Sequence, residues 1–198
     1  MSNKKYKVIP ITKNGKDYFQ LVALRNFTNR GISIKENSYG GLIGRDVYLS
    51  HTGTCWVDKG CEVYGKTSIL NDALITGNVS ITGNCVIKDF TLIQKRASIN
   101  GDCIFSDHTL IDDFVIIAGN VITKKETIIK GNTFLSGNFI INDSILKDKT
   151  FLSGDFIIID SWYVGDTKIR EDRISKGEVH GDEQWTYNKK SYWIKFKF

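Results

Sequence analysis

Four cysteines and three histidines are the side chains most capable of reacting here, whether as metal ligands, redox thiols, nucleophiles or proton carriers. They are Cys55, Cys61, Cys85 and Cys103, and His51, His108 and His180. A zinc site needs a convergent set of ligands at short spacing, and the cysteines instead stand 6, 24 and 18 residues apart. No serine or cysteine triad has any motif behind it. The glycines do not open a strand-then-helix phosphate loop either. No metal or other cofactor is expected from these residues. What the cysteine spacings do share is a common factor of six, and that points to the elements that carry them.

From Val57, a step of six residues reaches Val63, Ile69, Ile75, Ile81, Ile87, Ile93, Ile99, Phe105, Ile111, Ile117, Thr123, Ile129, Leu135 and Ile141, with Thr123 alone not apolar. Two residues earlier runs a mostly small series that includes Thr67, Ala73, Val79, Thr91, Ala97 and Thr109, and all four cysteines fall on it. Residues two apart on a strand share a face, so each repeat sends one small and one large side chain inward, and the thiols are core residues first. Two residues after each large position, from Gly65 to Gly137, eleven of thirteen residues are Gly, Asn or Asp, the types that tolerate positive φ. Lys95 and Lys125 are the exceptions. Short strands separated by regular corners predict a β-solenoid with three corners and eighteen residues per coil, each strand pairing in parallel with its equivalents above and below.

The register slips by one residue near Asn142-Asp143. The large positions then become Leu146, Leu152, Ile158 and Val164, with Ser144, Thr150, Phe156 and Trp162 as their inward partners. Loss of one corner residue accounts for the slip. At the start, Tyr6 to Pro10 and Tyr18 to Leu24 flank Asn14-Gly15, a hairpin signal that predicts an N-terminal β cap over residues 1–40. The β-helix is assigned to residues 41–166. Residues 167–198 read as a C-terminal aromatic and basic tail whose Trp185, Tyr187, Tyr192 and Trp193 either cover the last coil or reach a partner.

Of the net charge of +5, the first thirty residues carry seven Lys/Arg against one acid, while residues 31–164 carry twelve against fifteen. The body is therefore not a nucleic-acid binder on charge grounds, and nucleic acid could engage only the basic ends. No apolar run approaches the roughly 20 residues that span a bilayer, and the polar start lacks the apolar core of a secretion signal. A cytoplasmic location without membrane contact is the expectation.

Segments such as Ala73-Leu74-Ile75-Thr76-Gly77-Asn78 and Val79-Ser80-Ile81-Thr82-Gly83-Asn84 resemble the hexapeptide-repeat superfamily. That resemblance implies a left-handed parallel β-helix, where the general rule for parallel crossovers would predict the right hand. A narrower resemblance, to YdcK-like hexapeptide-repeat proteins, some of them phage- or prophage-encoded, lies in Gly40-Gly41-Leu42-Ile43 followed by Leu49-Ser50-His51-Thr52-Gly53-Thr54-Cys55-Trp56-Val57. Many members of the superfamily are trimeric acyltransferases in which a histidine between subunits acts as general base while acyl-CoA lies along the coils. On that reading His108, the one histidine inside the regular coils, would be the base. Those enzymes commonly carry a loop interrupting the repeat, and residues 55–141 contain no interruption.

The residue between each inward pair points outward, and steps of eighteen collect one flat side of the prism. One side reads Trp56, Leu74, Leu92, Leu110, Ile128. A second reads Ser68, Val86, Ile104, Ile122, Ile140, and a third passes from Glu62, Ser80 and Ser98 to Ile116 and Phe134. Two apolar stripes of this length exceed what a soluble monomer exposes, so they should be covered by a dimer or trimer of the chain, by the cap or tail, or by a partner such as a host protein. The expected function is non-catalytic protein binding by a self-associating β-helix, a phage-encoded inhibitor being one version. The competing class is acyl transfer.

Overall fold

A computed structural model describes residues 4–170 and 173–176. All its regular elements are strands, and those of the body stack as parallel coils, about seven turns in all. One face stacks Trp56–Val57 under Leu74–Ile75 and Leu92–Ile93. The next stacks Glu62–Tyr64, Ser80–Thr82 and Ser98–Asn100, and the third Ser68–Ile69, Val86–Ile87 and Ile104–Phe105. From Trp56 to Asn142 the paired strands keep an eighteen-residue register, which sets each inward pair above its equivalent. As a result Val57, Val63, Ile69 and their successors to Ile141 are buried, Thr123 included.

All thirteen expected corner positions have positive φ, Lys95 (63°) and Lys125 (55°) among them. The three corners are not equivalent. Asn71, Asp89, Asp107, Lys125, Asp143 and Asp160 form a column with φ between 47° and 58°, the ordinary left-handed well. Gly83, Gly101, Gly119, Gly137 and Gly154 occupy φ from 125° to 157°, where side chains are not tolerated. A Cβ on Gly119 would lie 1.9 Å from the carbonyl oxygen of Gly137 in the next coil. The Asn or Asp that follows these glycines bonds the coil below it: Asn84 N–H donates to Asp102 (2.9 Å), Asp102 N–H to Asn120 (2.9 Å) and Asn138 N–H to Asp155 (3.0 Å), while Asn138 itself accepts from the Asn120 side-chain amide (3.0 Å). The Gly-Asn and Gly-Asp pairs are thus corner hardware.

Several inward threonines satisfy their hydroxyls on the carbonyl three residues back: Thr109 on Ser106, Thr127 on Lys124 and Thr133 on Lys130, each at 2.8 Å. Thr123, the exception in the large series, meets Thr109 hydroxyl to hydroxyl at 2.6 Å, so one polar member is answered by another. The register slip lies at Asp143, where Ile128 pairs with Ile145, a step of seventeen. Ser144 turns inward one residue early and bonds the carbonyl of Asn142, two residues back (2.8 Å).

A second slip follows at Asp160-Ser161, and it changes the expected end of the solenoid. Ile145 pairs with Trp162 and Leu146 with Tyr163, so Tyr163 is the buried residue, while Trp162 points outward at 44% exposure and Val164 lies at the strand end. Ser161 repeats the geometry of Ser144, bonding the carbonyl of Ile159 (2.7 Å), and its N–H donates to the Ser144 hydroxyl (3.1 Å). The solenoid also runs past residue 166. Thr167–Arg170 pairs with Thr150–Ser153, and Arg173–Lys176 with Phe156–Ile159, so the first part of the expected tail is the last coil.

At the other end β1 (Tyr6–Lys13) and β2 (Lys16–Ala23) form the expected hairpin, with Asn14 (52°) and Gly15 (72°) both at positive φ, as a twist-matched two-residue turn requires. β2 pairs antiparallel with Tyr39–Ile43, whose Leu42 and Ile43 pair in parallel with Glu62 and Val63. The cap is therefore hydrogen-bonded into the first coil, which begins at residue 39. A second hairpin, β3 (Phe27–Asn29) and β4 (Ile32–Ile34), turns at Arg30-Gly31 and lies on the side of the coils.

Candidate functional site

The outward stripes now differ in kind. On the first side Trp56 and Leu74 are each 1% exposed, because the β3–β4 hairpin covers them. Phe27 packs edge-on against Trp56 with ring centroids 5.5 Å apart. Asn29, itself buried, donates from one amide nitrogen to the carbonyls of Thr54 (2.9 Å) and Asp72 (3.1 Å), and Arg30 donates to that of Phe90. These three carbonyls lie eighteen residues apart, so the hairpin runs along one corner of three successive coils. Trp56 and Leu74 are thereby withdrawn from any intermolecular surface, and only Leu92, Leu110 and Ile128 of that stripe stay partly accessible.

No described segment lies over the second side. Ser68 and Val86 are half-buried, Ile104 is 39% exposed, Ile122 half-buried and Ile140 42% exposed, and the column continues through Ile157 to Ile174. Five isoleucines thus stand in one line, on a rigid sheet whose backbone hydrogen bonds are already used by the coils above and below. Such a column offers shape and apolar area rather than reactive groups. The third side divides: Glu62 is tied to the cap by Lys13 (2.5 Å), Ser80 and Ser98 are exposed, and above them Phe134 and Phe151 stack with centroids 5.0 Å apart.

His108 sits at a corner as expected and is exposed. Its ring stacks on Phe90 (5.0 Å, 16° between planes) and hydrogen-bonds to no described residue. The neighbouring Asp107 spends its carboxylate on the N–H of Lys125 (2.9 Å) rather than on the imidazole. A general base is normally oriented by such a partner, so the described residues bring no orienting group to His108.

The four cysteines are all free and buried. Cys61, Cys85 and Cys103 point their thiols at the carbonyls of Gly77 (3.5 Å), Gly101 (3.3 Å) and Gly119 (3.6 Å), as the Thr67 hydroxyl does at Gly83 (3.2 Å). The thiol here stands in for a threonine hydroxyl, and burial pushes Cys61 up to about 11. Among the described residues no group of three or more His, Cys, Asp or Glu side chains converges as a metal site would require, and no helix is long and apolar enough to cross a membrane.

One cluster had no sequence signal. Lys5 is completely buried, with Nζ 3.2 Å from Cys55 Sγ and 3.3 Å from the carbonyl of Gly53, and 5.7 Å from the centre of the Phe27 ring. Its N–H donates to His51 Nδ1 (3.2 Å), on which Tyr6 stacks, while the Tyr6 hydroxyl donates to the Leu49 carbonyl (2.7 Å). A lysine in a basic terminal stretch reads as a surface charge, and only the docking of the cap onto the first coil takes it inside. His180 and the tail residues Trp185, Tyr187, Tyr192 and Trp193 lie outside the described residues. Compared with protein-family models and with curated proteins, the chain matches none.

Proposed function

We propose that this protein is a non-catalytic, self-associating β-helix that works by protein–protein binding, with the isoleucine column as the surface joining its copies. The observation that carries the reading is the contrast between two sides of the same prism: one apolar stripe is sealed by the chain's own hairpin, and the other, Ile104, Ile122, Ile140, Ile157 and Ile174, has no described segment over it. A flat, in-register column is self-complementary, which suits a symmetric dimer or trimer. The accessible Leu92, Leu110 and Ile128 would then offer a second surface to a different protein. A phage-encoded inhibitor of a host protein is the version that the YdcK-like resemblance supports.

The test is native mass by light scattering on the wild type and on an Ile122→Asp/Ile140→Asp double variant. A wild-type oligomer that falls to monomer in the variant, with its β circular dichroism kept, supports the reading, and a monomeric wild type at tens of micromolar overturns it. Acyl-CoA turnover that disappears in His108→Ala would place the chain with the acyltransferases instead.

A further inference from the structure

Among the described residues Lys5 is the single charged-type side chain withdrawn completely from solvent, and it has no carboxylate within ion-pairing distance. An unpaired ammonium in such a place is costly, and burial accordingly lowers Lys5 while burial raises the Cys55 thiol. Burial thus shifts both groups toward their uncharged forms, and nitrogen and sulfur lie 3.2 Å apart. All four thiols face backbone carbonyls, Cys55 those of Ser50 (3.4 Å) and Ile69 (3.5 Å), but Cys55 alone of the four also accepts from a side-chain amine. A single layer of loop separates the pair from solvent, since Thr52 and Gly53 are exposed and the Gly53 carbonyl is itself the second acceptor of Lys5 Nζ.

We propose that Lys5 and Cys55 form an oxidation-dependent covalent cross-link, a sulfur–nitrogen bond made in the presence of hydrogen peroxide, which staples the N-terminal cap to the first coil. The Lys5 amine takes the thiol proton, the thiolate sulfur attacks the peroxide and the O–O bond breaks, and the departing hydroxide recovers that proton from the ammonium, which leaves a sulfenic acid, one water and the free amine; sulfur has given up two electrons and the peroxide has accepted them. The Lys5 nitrogen lone pair then attacks that sulfur, the S–O bond breaks, and the hydroxyl leaves as a second water with a proton from the amine. The net change is thiol plus amine plus hydrogen peroxide to S–NH plus two waters, and the chain becomes lighter by two hydrogen atoms. A thiol reductant reverses the bond and returns the free amine and thiol. Residue 5 lies at the start of the cap and residue 55 in the first coil, so the bond closes a loop around the whole cap and raises its resistance to unfolding.

The experiment uses the full chain, treated with hydrogen peroxide, alkylated, digested and mapped by tandem mass spectrometry. The expected product is a peptide bearing residue 5 joined to one bearing Cys55, two hydrogens lighter than their sum and split by dithiothreitol. It should persist in a Cys85→Ser/Cys103→Ser background, which removes the stacked thiol pair as a competing source of the same mass change, and disappear in Lys5→Met. Cys55 that stays fully alkylatable after peroxide overturns the proposal, and so does Cys55 carrying added oxygen with Lys5 free. The wild-type map decides the question by itself if Lys5→Met does not fold.

Discussion

Replacing Gly119 by alanine tests the claim that one corner of the solenoid is closed to side chains while the other two are not. Gly119 has φ of 147°, and a Cβ there would meet the Gly137 oxygen at 1.9 Å and its carbon and nitrogen at 2.8 Å, all of them backbone atoms. The conformation costs an alanine about 1–3 kcal/mol. The clash must be relieved by spreading two coils joined over fifteen paired residues, from Leu110 to Lys124, and overpacking of this kind costs about 1–3 kcal/mol more. The expected loss is about 4 kcal/mol, seen as a fall in melting temperature of about 10 °C for a chain of this size. The control is Lys125→Gly, in the neighbouring column at φ of 55°, where glycine relieves left-handed strain and loosens the unfolded chain, so that the net change stays within about 1 kcal/mol. Urea and thermal denaturation followed by circular dichroism measure both. A Gly119→Ala protein within about 1 kcal/mol of wild type, or a Lys125→Gly protein as damaged as Gly119→Ala, would refute the distinction between the corners.

Phe27→Ala should uncover Trp56 and loosen the β3–β4 hairpin, at a cost of about 2 kcal/mol for a half-buried ring, and should make one more tryptophan accessible to acrylamide. Thr123→Val keeps the shape but takes away the partner that Thr109 meets at 2.6 Å, so it should destabilise by about 1 kcal/mol although it restores the apolar pattern; a gain in stability would contradict the hydroxyl pairing. Cys61 holds its proton to about 11 in the fold and releases it near 9 when unfolded, so the folded state binds the extra proton and stability is complete below 9 and falls as pH rises towards 11. Cys61→Ser should flatten that alkaline fall by up to about 1.4 kcal/mol per pH unit, read from urea midpoints at pH 8, 9, 10 and 11.

The parts of this fold that repeat were legible residue by residue. Inward positions such as Val57 and Val63 cannot be misread when the period is held for fifteen repeats, and Lys95 and Lys125, the two exceptions in residue type at the corners, take positive φ like the rest. The slip at Asp160-Ser161 went unread because Trp162 and Val164 satisfied the old register as apolar residues, and only pairing with Ile145 and Lys147 fixes which side of the strand turns in. The second hairpin carried only Arg30-Gly31 as a turn signal, too weak to announce that it would seal Trp56 and Leu74.

The interactions that recur at each six-residue step follow from the order of residues alone: the inward pair, the corner and the eighteen-residue coil, all enforced locally and many times over. A six-residue period suits either sense of winding, so the order of residues does not choose the hand. Which corner must be glycine is settled only in three dimensions, since it follows from the approach of Gly119 to Gly137 and not from either residue's neighbours. The same holds for which apolar side is covered and for the placement of Lys5 against Cys55. The last two are single contacts between segments far apart in the chain, made once where the cap and its second hairpin meet the coils, and no periodicity records them.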